Sequence, residues 1–259
     1  MNESADQYQQ KLSAVIITFN EERALPRCLQ SVAFADEIVV VDSGSVDRTC
    51  EIAQQMGANV IQKDWLGYGR QKQFAVEQAT NNWVICLDAD EWISDELRAS
   101  IIATMQKPGY YAYQFPRCNR FLGRWLRHGE GYPDYNLRLY HRAYAHWSED
   151  PVHEHVQTDT RVGKLDGDLM HESEEGLESY LEKQNKYSSL QAKILFEQGA
   201  KPSVVKIFLS PFFRFVKFYL VRGGWRDGMP GLIHVSVGCF NTYMKNAKLW
   251  ALVNRIKKQ

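Results

Sequence analysis

Short apolar runs alternate with amphipathic stretches through the N-terminal third of the chain. Four of the runs are rich in aliphatic or β-branched residues and are bounded by polar ones, which is typical of strands. Between them, apolar residues recur at helical spacing, as at Leu25, Leu29 and Val32. Alternating strands and helices indicate βαβ units, so the pattern predicts an α/β fold with a mostly parallel sheet flanked by helices. The predicted strands are 12–19, 37–42, 59–63 and 84–87.

Carboxylates and amides stand at the ends of three of these strands. Because the carboxyl ends of parallel strands meet at one sheet edge, we predict a single acidic crevice there. Asp88 and Asp90 are two residues apart, so extended geometry points both side chains the same way, where they can share one divalent cation. No glycine-rich phosphate cradle follows the first strand, so a diphosphate would need such a cation. The three strand ends carry Asn20-Glu21-Glu22, Asp42 and Asp88-Ala89-Asp90-Glu91.

The formal charge of the 259-residue chain is zero, from 31 basic and 31 acidic residues, but the two signs are unevenly distributed. Residues 201–259 contain eleven Lys or Arg and one acid, Asp227, which gives about +10 and leaves about −10 on residues 1–200. A basic tail on an acidic body predicts an anionic partner, either a membrane or a nucleic acid.

The tail is predicted to be helical. Apolar spacing indicates one amphipathic helix over 174–198 and a second over 204–222, restarting at Ser210-Pro211. A phenylalanine-rich surface with a basic stripe describes a helix at a membrane interface, and we favour it because packing alone does not explain the net charge. The alternative is packing on the preceding domain or on a second subunit. The polar stripe of the second helix is Lys206, Ser210, Arg214 and Lys217.

The cysteines indicate the compartment. Five scattered cysteines without a Cys-x-x-Cys pair are typical of reduced thiols in a cytoplasmic protein. The polar segment 1–11 lacks the apolar core of a secretory signal, and no uncharged apolar run reaches the roughly 18 residues of a spanning helix. Together with the basic tail, these features predict a peripheral location on the cytoplasmic face of a membrane.

Several motifs resemble the family 2 inverting glycosyltransferases, namely VIITFNEE at 15–22, VVVDSGSVD at 39–47 and LDADE at 87–91. Two more are similar to the subgroup that adds glucose to the inner core of lipopolysaccharide: WLGYGRQK at 65–72, and Pro-Asp-x-x-x-Arg-Leu at 133–139 with Val-His-Glu at 152–154. The resemblance implies a GT-A type fold, a nucleotide-sugar donor and a divalent cation, Mg or Mn, that neutralises the diphosphate leaving group.

The resemblance also implies a domain organisation. A catalytic domain would cover residues 1–172, with a donor half at about 12–92 and an acceptor half at about 93–172, and a helical region would cover 173–259. Asp88 and Asp90 would meet the ribose and the metal. Arg70 and Lys72 are candidate phosphate contacts or members of a solvated helix face. Arg138 would pair with the diphosphate or with a structural carboxylate. The uracil and ribose would be met by Thr18, Asn20, Glu22 and Asp42.

Inversion by direct displacement requires a carboxylate that takes the proton of the acceptor hydroxyl. By the resemblance, Glu154 best matches this base and Asp134 is second, although this chain has His-Glu where the wider family has two acids. His171 is predicted as an extra ligand to the donor-bound cation. Histidines in polar loops usually form hydrogen bonds rather than zinc sites, and this applies to His153 and His155. Glu149 and Asp150 are further candidates for the base.

Residues 115–135 combine aromatic rings, which stack on sugars, with arginines, which bind phosphates, and so predict the acceptor site.

The resulting hypothesis is a transferase that moves glucose from UDP-glucose to an inner-core heptose of lipopolysaccharide. The acceptor would then be a lipid-linked oligosaccharide at the inner membrane. One alternative is a transferase that acts on polyprenyl phosphate or protein. Another is a nucleic-acid-binding protein, but we predict no nucleic-acid partner because the basic residues are interleaved with phenylalanines.

Overall fold

The structure, a computed structural model, describes residues 10–150, 154–173 and 176–256, with side chains described up to residue 254. The chain divides into two compact units, each made of two segments. The sheet unit consists of Met1–Arg117 and Asp134–His171, and the helical unit of Cys118–Pro133 and Glu172–Gln259. The sequence placed residues 118–133 in the acceptor half of the catalytic domain, whereas the structure groups them with the helical unit.

The sheet unit begins with alternating strands and helices, as the hydrophobic pattern predicts. They are β1 Leu12–Thr18, α1 Leu25–Ser31, β2 Glu37–Asp42, α2 Thr49–Gln55, β3 Asn59–Gln62, α3 Tyr68–Gln78, β4 Trp83–Asp88, β5 Glu91–Ile93 and α4 Asp95–Gln106. The chain continues with β6 Ala112–Phe121, β7 Arg124–Trp125, β8 Asp134–His141, β9 Ala145–Trp147, β10 Val156–Thr158, β11 Val162–Lys164 and β12 Leu169–His171. Of these, β7 and the last residues of β6 lie in the helical unit.

Among the described residues, the main sheet has the strand order β3-β2-β1-β4-β8-β6-β12-β5, with β7 and β11 paired to β6. The pairs β1–β2, β1–β4 and β2–β3 are parallel, whereas β8 is antiparallel to β4 and β6. Every residue of β1 is buried, because apolar clusters cover both faces of this central strand. The predicted α/β fold is confirmed.

The strand register aligns the ends of the parallel strands. Thr18 lies opposite Asp42 across the β1–β2 pair, and Ile17 lies opposite Asp88 across the β1–β4 pair. The predicted acidic strand ends therefore meet at one edge of the sheet. The site is built there, because the carboxyl edge of parallel strands is where such sheets bind ligands.

The described residues of the helical unit form three long helices, with α7 packed against both others. Helix α6 continues through Pro211, so the predicted restart at Ser210-Pro211 is wrong. Proline removes one backbone hydrogen bond, and packing on α7 keeps the turn helical. No helix in the described ranges combines the length and apolar character that crossing a bilayer requires. The elements are α5 Leu177–Glu197, α6 Val204–Phe215, a π-helical segment Val216–Val221, a 3-10 turn Gly224–Asp227 and α7 Gly228–Ile256.

Candidate active site

The loops after β1 and β2 are tied together by side-chain hydrogen bonds. Asn20 has a φ of 54° and accepts the N–H of Val46 at 2.9 Å, while its own N–H donates to Ser45 Oγ at 2.8 Å. Asparagine tolerates this left-handed conformation better than most residues. Glu22 accepts the N–H of Arg48 at 3.1 Å. Asn20 and Glu22 thus shape the edge of the crevice, and their contact with uracil and ribose stays a prediction.

Asp42 is fully buried at the end of β2. Its Oδ2 accepts the N–H groups of Gly44 and Ser45, each at 2.9 Å, and the Ser45 hydroxyl donates to its Oδ1. Gly44 has a φ of 97°, which favours glycine because a Cβ would be strained there. The turn therefore fixes the Asp42 carboxylate next to Thr18.

A chain of ion pairs crosses the carboxyl end of β4. Lys72 Nζ lies 3.0 Å from Asp88 Oδ1 and 3.3 Å from Glu154 Oε1. Arg138 Nη2 lies 3.4 Å from Asp88 Oδ2 and 3.3 Å from Glu91 Oε1. Residues from α3, β4, β5, β8 and the segment before β10 therefore converge on one cluster. Opposite charges alternate along it.

Glu91 is the buried carboxylate of this chain of ion pairs, and it links Arg138 to Arg117. Its side chain is fully buried, and its Oε1 accepts a hydrogen bond from Arg117 Nε at 2.6 Å. Its Oε2 accepts the N–H of Asp88 at 3.0 Å. The ring of Trp147 lies 5.2 Å from the guanidinium carbon of Arg138. These contacts hold Arg138 and Asp88 in place from the interior.

The pairs also fix protonation states. Burial raises the pKa of Asp88, but the charges of Lys72, Arg138 and Arg117 outweigh it and hold the pKa well below its usual range. Burial lowers the pKa of Arg138, but the charges of Glu91 and Asp88 raise it by more than burial lowers it. The pKa therefore lies above its ordinary value. At neutral pH the site presents a carboxylate at Asp88 and a guanidinium at Arg138.

The two leading candidates for the base occupy different places. Glu154 has a side chain that is 20% exposed and shares Lys72 with Asp88. Asp134 is exposed at the start of β8, opposite Arg117 in the β6–β8 ladder. The structure thus brings Glu154, and not Asp134, into the ion-pair chain. His153 lies outside the described residues.

Asp90 and His171 lie together. His171 Nε2 is 3.0 Å from Asp90 Oδ2, and the two side chains are 17% and 23% exposed. Carboxylate oxygen and imidazole nitrogen suit Mg or Mn, and the Asp90–His171 pair offers one of each. The donor set therefore fits a divalent cation. Within the described ranges, however, no three His, Cys, Asp or Glu side chains form a ready-made cluster.

Three cations were predicted as phosphate contacts. Arg70 is on the surface, where it lies 3.1 Å from Glu149, with side chains 62% and 77% exposed. Lys72 and Arg138 are buried in the ion-pair chain. Arg138 therefore pairs with structural carboxylates, which is one of its two predicted roles. Arg70 lies on a solvated helix face, as its alternative prediction states, whereas Lys72 does not.

The predicted site residues omit Glu91, Arg117 and Gln71. Gln71 is fully buried, and its Nε2 donates to Ser43 Oγ at 3.1 Å and to the Lys63 carbonyl at 3.2 Å. The position of Glu91 directly after Asp88 and Asp90 is the one available signal. Its burial depends on Arg138, which is 47 residues away in sequence.

Comparisons with known proteins address the same region. The family model described as Glycosyl transferase family 2 matches residues 13–163. An uncharacterised glycosyltransferase of Rickettsia bellii is 34% identical over 254 residues, which covers 92% of this chain and 86% of that protein. The lipopolysaccharide core biosynthesis glycosyltransferase LpsC of Rhizobium meliloti is 31% identical over 249 residues, which covers 92% of each chain. A crystal structure of S. aureus TarS 1–349 in complex with UDP-GlcNAc has a TM-score of 0.48 and 17% identity, covering 92% and 81% of the two chains.

The matched region contains β2, β3, β4 and all but the first residue of β1, together with every member of the ion-pair chain. It spans more than half of the 259 residues, and the similarity to LpsC extends over nearly the whole length. The predicted GT-A type of α/β fold is confirmed by this match together with the parallel sheet and its acidic edge. The chain belongs to glycosyl transferase family 2 and is a nucleotide-sugar glycosyltransferase.

Proposed function

We propose that this enzyme transfers glucose from UDP-glucose to an inner-core heptose of lipopolysaccharide, with inversion at the anomeric carbon. The observation that carries the proposal is the similarity to LpsC, a lipopolysaccharide core biosynthesis glycosyltransferase, which covers 92% of both chains. The acceptor is then a lipid-linked oligosaccharide, and the enzyme works peripherally at the cytoplasmic face of the inner membrane.

The donor binds along the acidic edge. Asn20, Glu22 and Asp42 meet the uracil and ribose, together with Thr18, whose buried Oγ1 has no hydrogen-bond partner among the described residues. Asp88 meets the ribose and contributes to the metal site of Asp90 and His171. A divalent cation held there neutralises the negative charge that develops on the leaving diphosphate.

Glu154 acts as the base. The acceptor oxygen forms a bond to the anomeric carbon while the bond from that carbon to the diphosphate breaks, and the hydroxyl proton passes to the Glu154 carboxylate. Lys72 orients this carboxylate by pairing with both Glu154 and Asp88, at 3.3 and 3.0 Å. The ion-pair chain thereby connects the base to the donor-binding acids.

Calorimetric titration with UDP-glucose, with and without Mn or Mg, tests the donor site. We expect metal-dependent binding that is at least about tenfold weaker in Asp90→Ala, because a cation ligand is lost. The exposed Asp166→Ala is the matched control and should bind as wild type. Folded protein that binds no UDP-glucose under any metal condition overturns the proposed donor.

Transfer to a heptose-terminated core acceptor tests the base. We expect Glu154→Gln to lower kcat by about 10²–10⁴-fold with little change in UDP-glucose affinity, because only proton transfer is lost. Asp134→Asn should retain activity. The reverse result would assign the base to Asp134, and transfer to polyprenyl phosphate in place of the core would replace the proposed acceptor.

A further inference from the structure

Helix α6 exposes a continuous apolar stripe. Residues at i, i+4 and i+8 lie above one another on a helix, and two neighbouring rows of this kind here carry only apolar side chains. All six side chains are between 47% and 65% exposed. We call them the α6 stripe: Val204, Phe208 and Phe212 in one row, and Val205, Leu209 and Phe213 in the other.

The opposite face of α6 fixes this orientation. Ile207 is buried, and Arg214 donates to Glu130 Oε2 at 3.1 Å and to Thr242 Oγ1 at 3.2 Å. Arg214, predicted on an exposed basic stripe, is therefore turned inward. A helix of a globular protein normally buries its apolar face, so an anchored helix that exposes one marks an interaction surface.

The apolar surface continues onto α7. The ring of Phe208 lies 6.4 Å from that of Tyr243, which in turn stacks on Phe240 at 6.4 Å. Phe240 is 57% exposed. The aromatic rings of two helices thus form one patch, which is larger than scattered surface residues produce.

The exposed charges within residues 201–254 all have one sign. Between residues 201 and 254 the only acid is Asp227, which is 1% exposed and hydrogen-bonded to the His128 ring and to the backbone N–H groups of Arg127 and His128. This part of the helical unit therefore presents no carboxylate to solvent. The exposed cations are Lys201, Lys206, Lys217, Arg222 and Arg226.

We propose that the α6 stripe lies in the interfacial region of an anionic phospholipid bilayer, with its phenylalanines among the acyl chains and the neighbouring lysines and arginines at the headgroups. An apolar face with a basic rim is the chemistry that such a surface binds. A second copy of the chain is disfavoured, because it would bring a second basic surface against the first. The proposal locates the membrane contact of the proposed function but requires no sugar transfer.

Co-sedimentation of the full chain with vesicles tests the proposal. Wild type should bind vesicles of phosphatidylethanolamine with phosphatidylglycerol, and bind vesicles of phosphatidylcholine alone more weakly. Phe208→Ser with Phe212→Ser should lower the partition coefficient about 100-fold, because two inserted rings are lost. The matched control is Tyr111→Ser with Tyr144→Ser, two exposed aromatics of the sheet unit, which should bind as wild type.

A second pair of variants tests the charge. Lys206→Gln with Lys217→Gln should lower binding to the anionic vesicles about 30-fold, since each lysine near the surface contributes to headgroup attraction. Lys186→Gln, on the exposed surface of α5, is the control.

The membrane contact would be overturned if the wild type bound neither kind of vesicle, or if the stripe variants bound vesicles as well as the wild type. It would also be overturned if the wild type bound no vesicles but formed a dimer that the phenylalanine substitutions dissociate. UDP-glucose titration of the same proteins requires no lipid. Loss of vesicle binding and loss of donor binding are therefore separate failures.

Discussion

The two units distribute charge and apolar surface in opposite ways. In the sheet unit, Glu91 and Arg138 are at most 5% exposed, while β1 is buried along its whole length. In the helical unit the α6 stripe faces solvent, and among its described residues the buried charge is a single carboxylate, Asp227, that anchors a turn. The buried charges of the sheet unit are paired within the chain, whereas the exposed apolar surface of the helical unit is the one that we propose contacts a membrane.

The difference follows from what each surface does. Burying charges is costly unless each is paired, so the ion-pair chain is weak evidence of stabilisation. In the proposed mechanism the ion-pair chain holds charges in place before the charged donor binds, which avoids reorganisation during the reaction. A membrane-facing helix needs no such partners inside the protein, because lipid supplies its apolar environment.

The largest effect is expected from breaking the ion-pair chain. Arg138→Met leaves Asp88 and Glu91 without one cation, and should lower the free energy of unfolding by about 3–5 kcal/mol. Arg48→Met removes an exposed pair with Glu51, whose side chains are 66% and 51% exposed, and should lower the free energy of unfolding far less, because solvent screens this pair. Urea denaturation followed by circular dichroism measures both. Equal losses would show that the sheet unit does not depend on its internal charges.

Two leucines, one buried in the sheet unit and one exposed in the helical unit, test how apolar side chains contribute to stability in each unit. Leu97 in α4 is fully buried, whereas Leu209 in α6 is 47% exposed. Leu97→Ala should cost about 2–5 kcal/mol because it leaves a cavity, and Leu209→Ala should stay within about 0.5 kcal/mol. The same denaturation experiment, without lipid, compares them. A large loss in Leu209→Ala would mean that the stripe is packed within the protein.

The smallest effect concerns pH and the helical unit. Burial and the charge of Arg214 lower the pKa of His234, against the opposing charge of Asp227. The unfolded histidine binds a proton near pH 6.5, so stability is complete above about pH 6.5 and falls as pH drops below it, by up to about 1.4 kcal/mol per pH unit.

His234→Phe should flatten this dependence while preserving the ring contacts with Phe121 and Tyr180 at 5.4 and 6.2 Å. Urea denaturation at two pH values, one above and one below 6.5, measures the slope for both proteins. An unchanged slope in the variant would assign the acid sensitivity to other groups.

Local patterns predicted the acidic edge of the sheet well. Each strand there is a short apolar run followed by acids, as at Asp42 and Asp88, and parallel pairing of such strands aligns their ends. The pairing of Thr18 with Asp42 is the register that this arrangement requires. Helices α5 and α6 were also predicted, because apolar spacing repeats along both, whereas no apolar spacing was identified for α7, Gly228–Ile256.

Contacts between distant segments were not predicted. Lys72 and Glu154 are 82 residues apart, and Arg214 and Glu130 are 84 apart. In the sequence Lys72 looked like a phosphate contact or a solvated residue, and Arg214 like part of an exposed stripe. The charge of a side chain shows that it can pair with a group of opposite charge, but it does not show which residue that group belongs to.

The sequence by itself determined the order of strands and helices, the acidic edge, the family and the basic character of the tail, because each is written in residues that are neighbours along the chain. Only the tertiary structure decided that Lys72 joins Glu154 to Asp88, and that the apolar rows of α6 face outward. Those outcomes depend on which segments pack together, and packing is a property of the whole fold rather than of any local pattern.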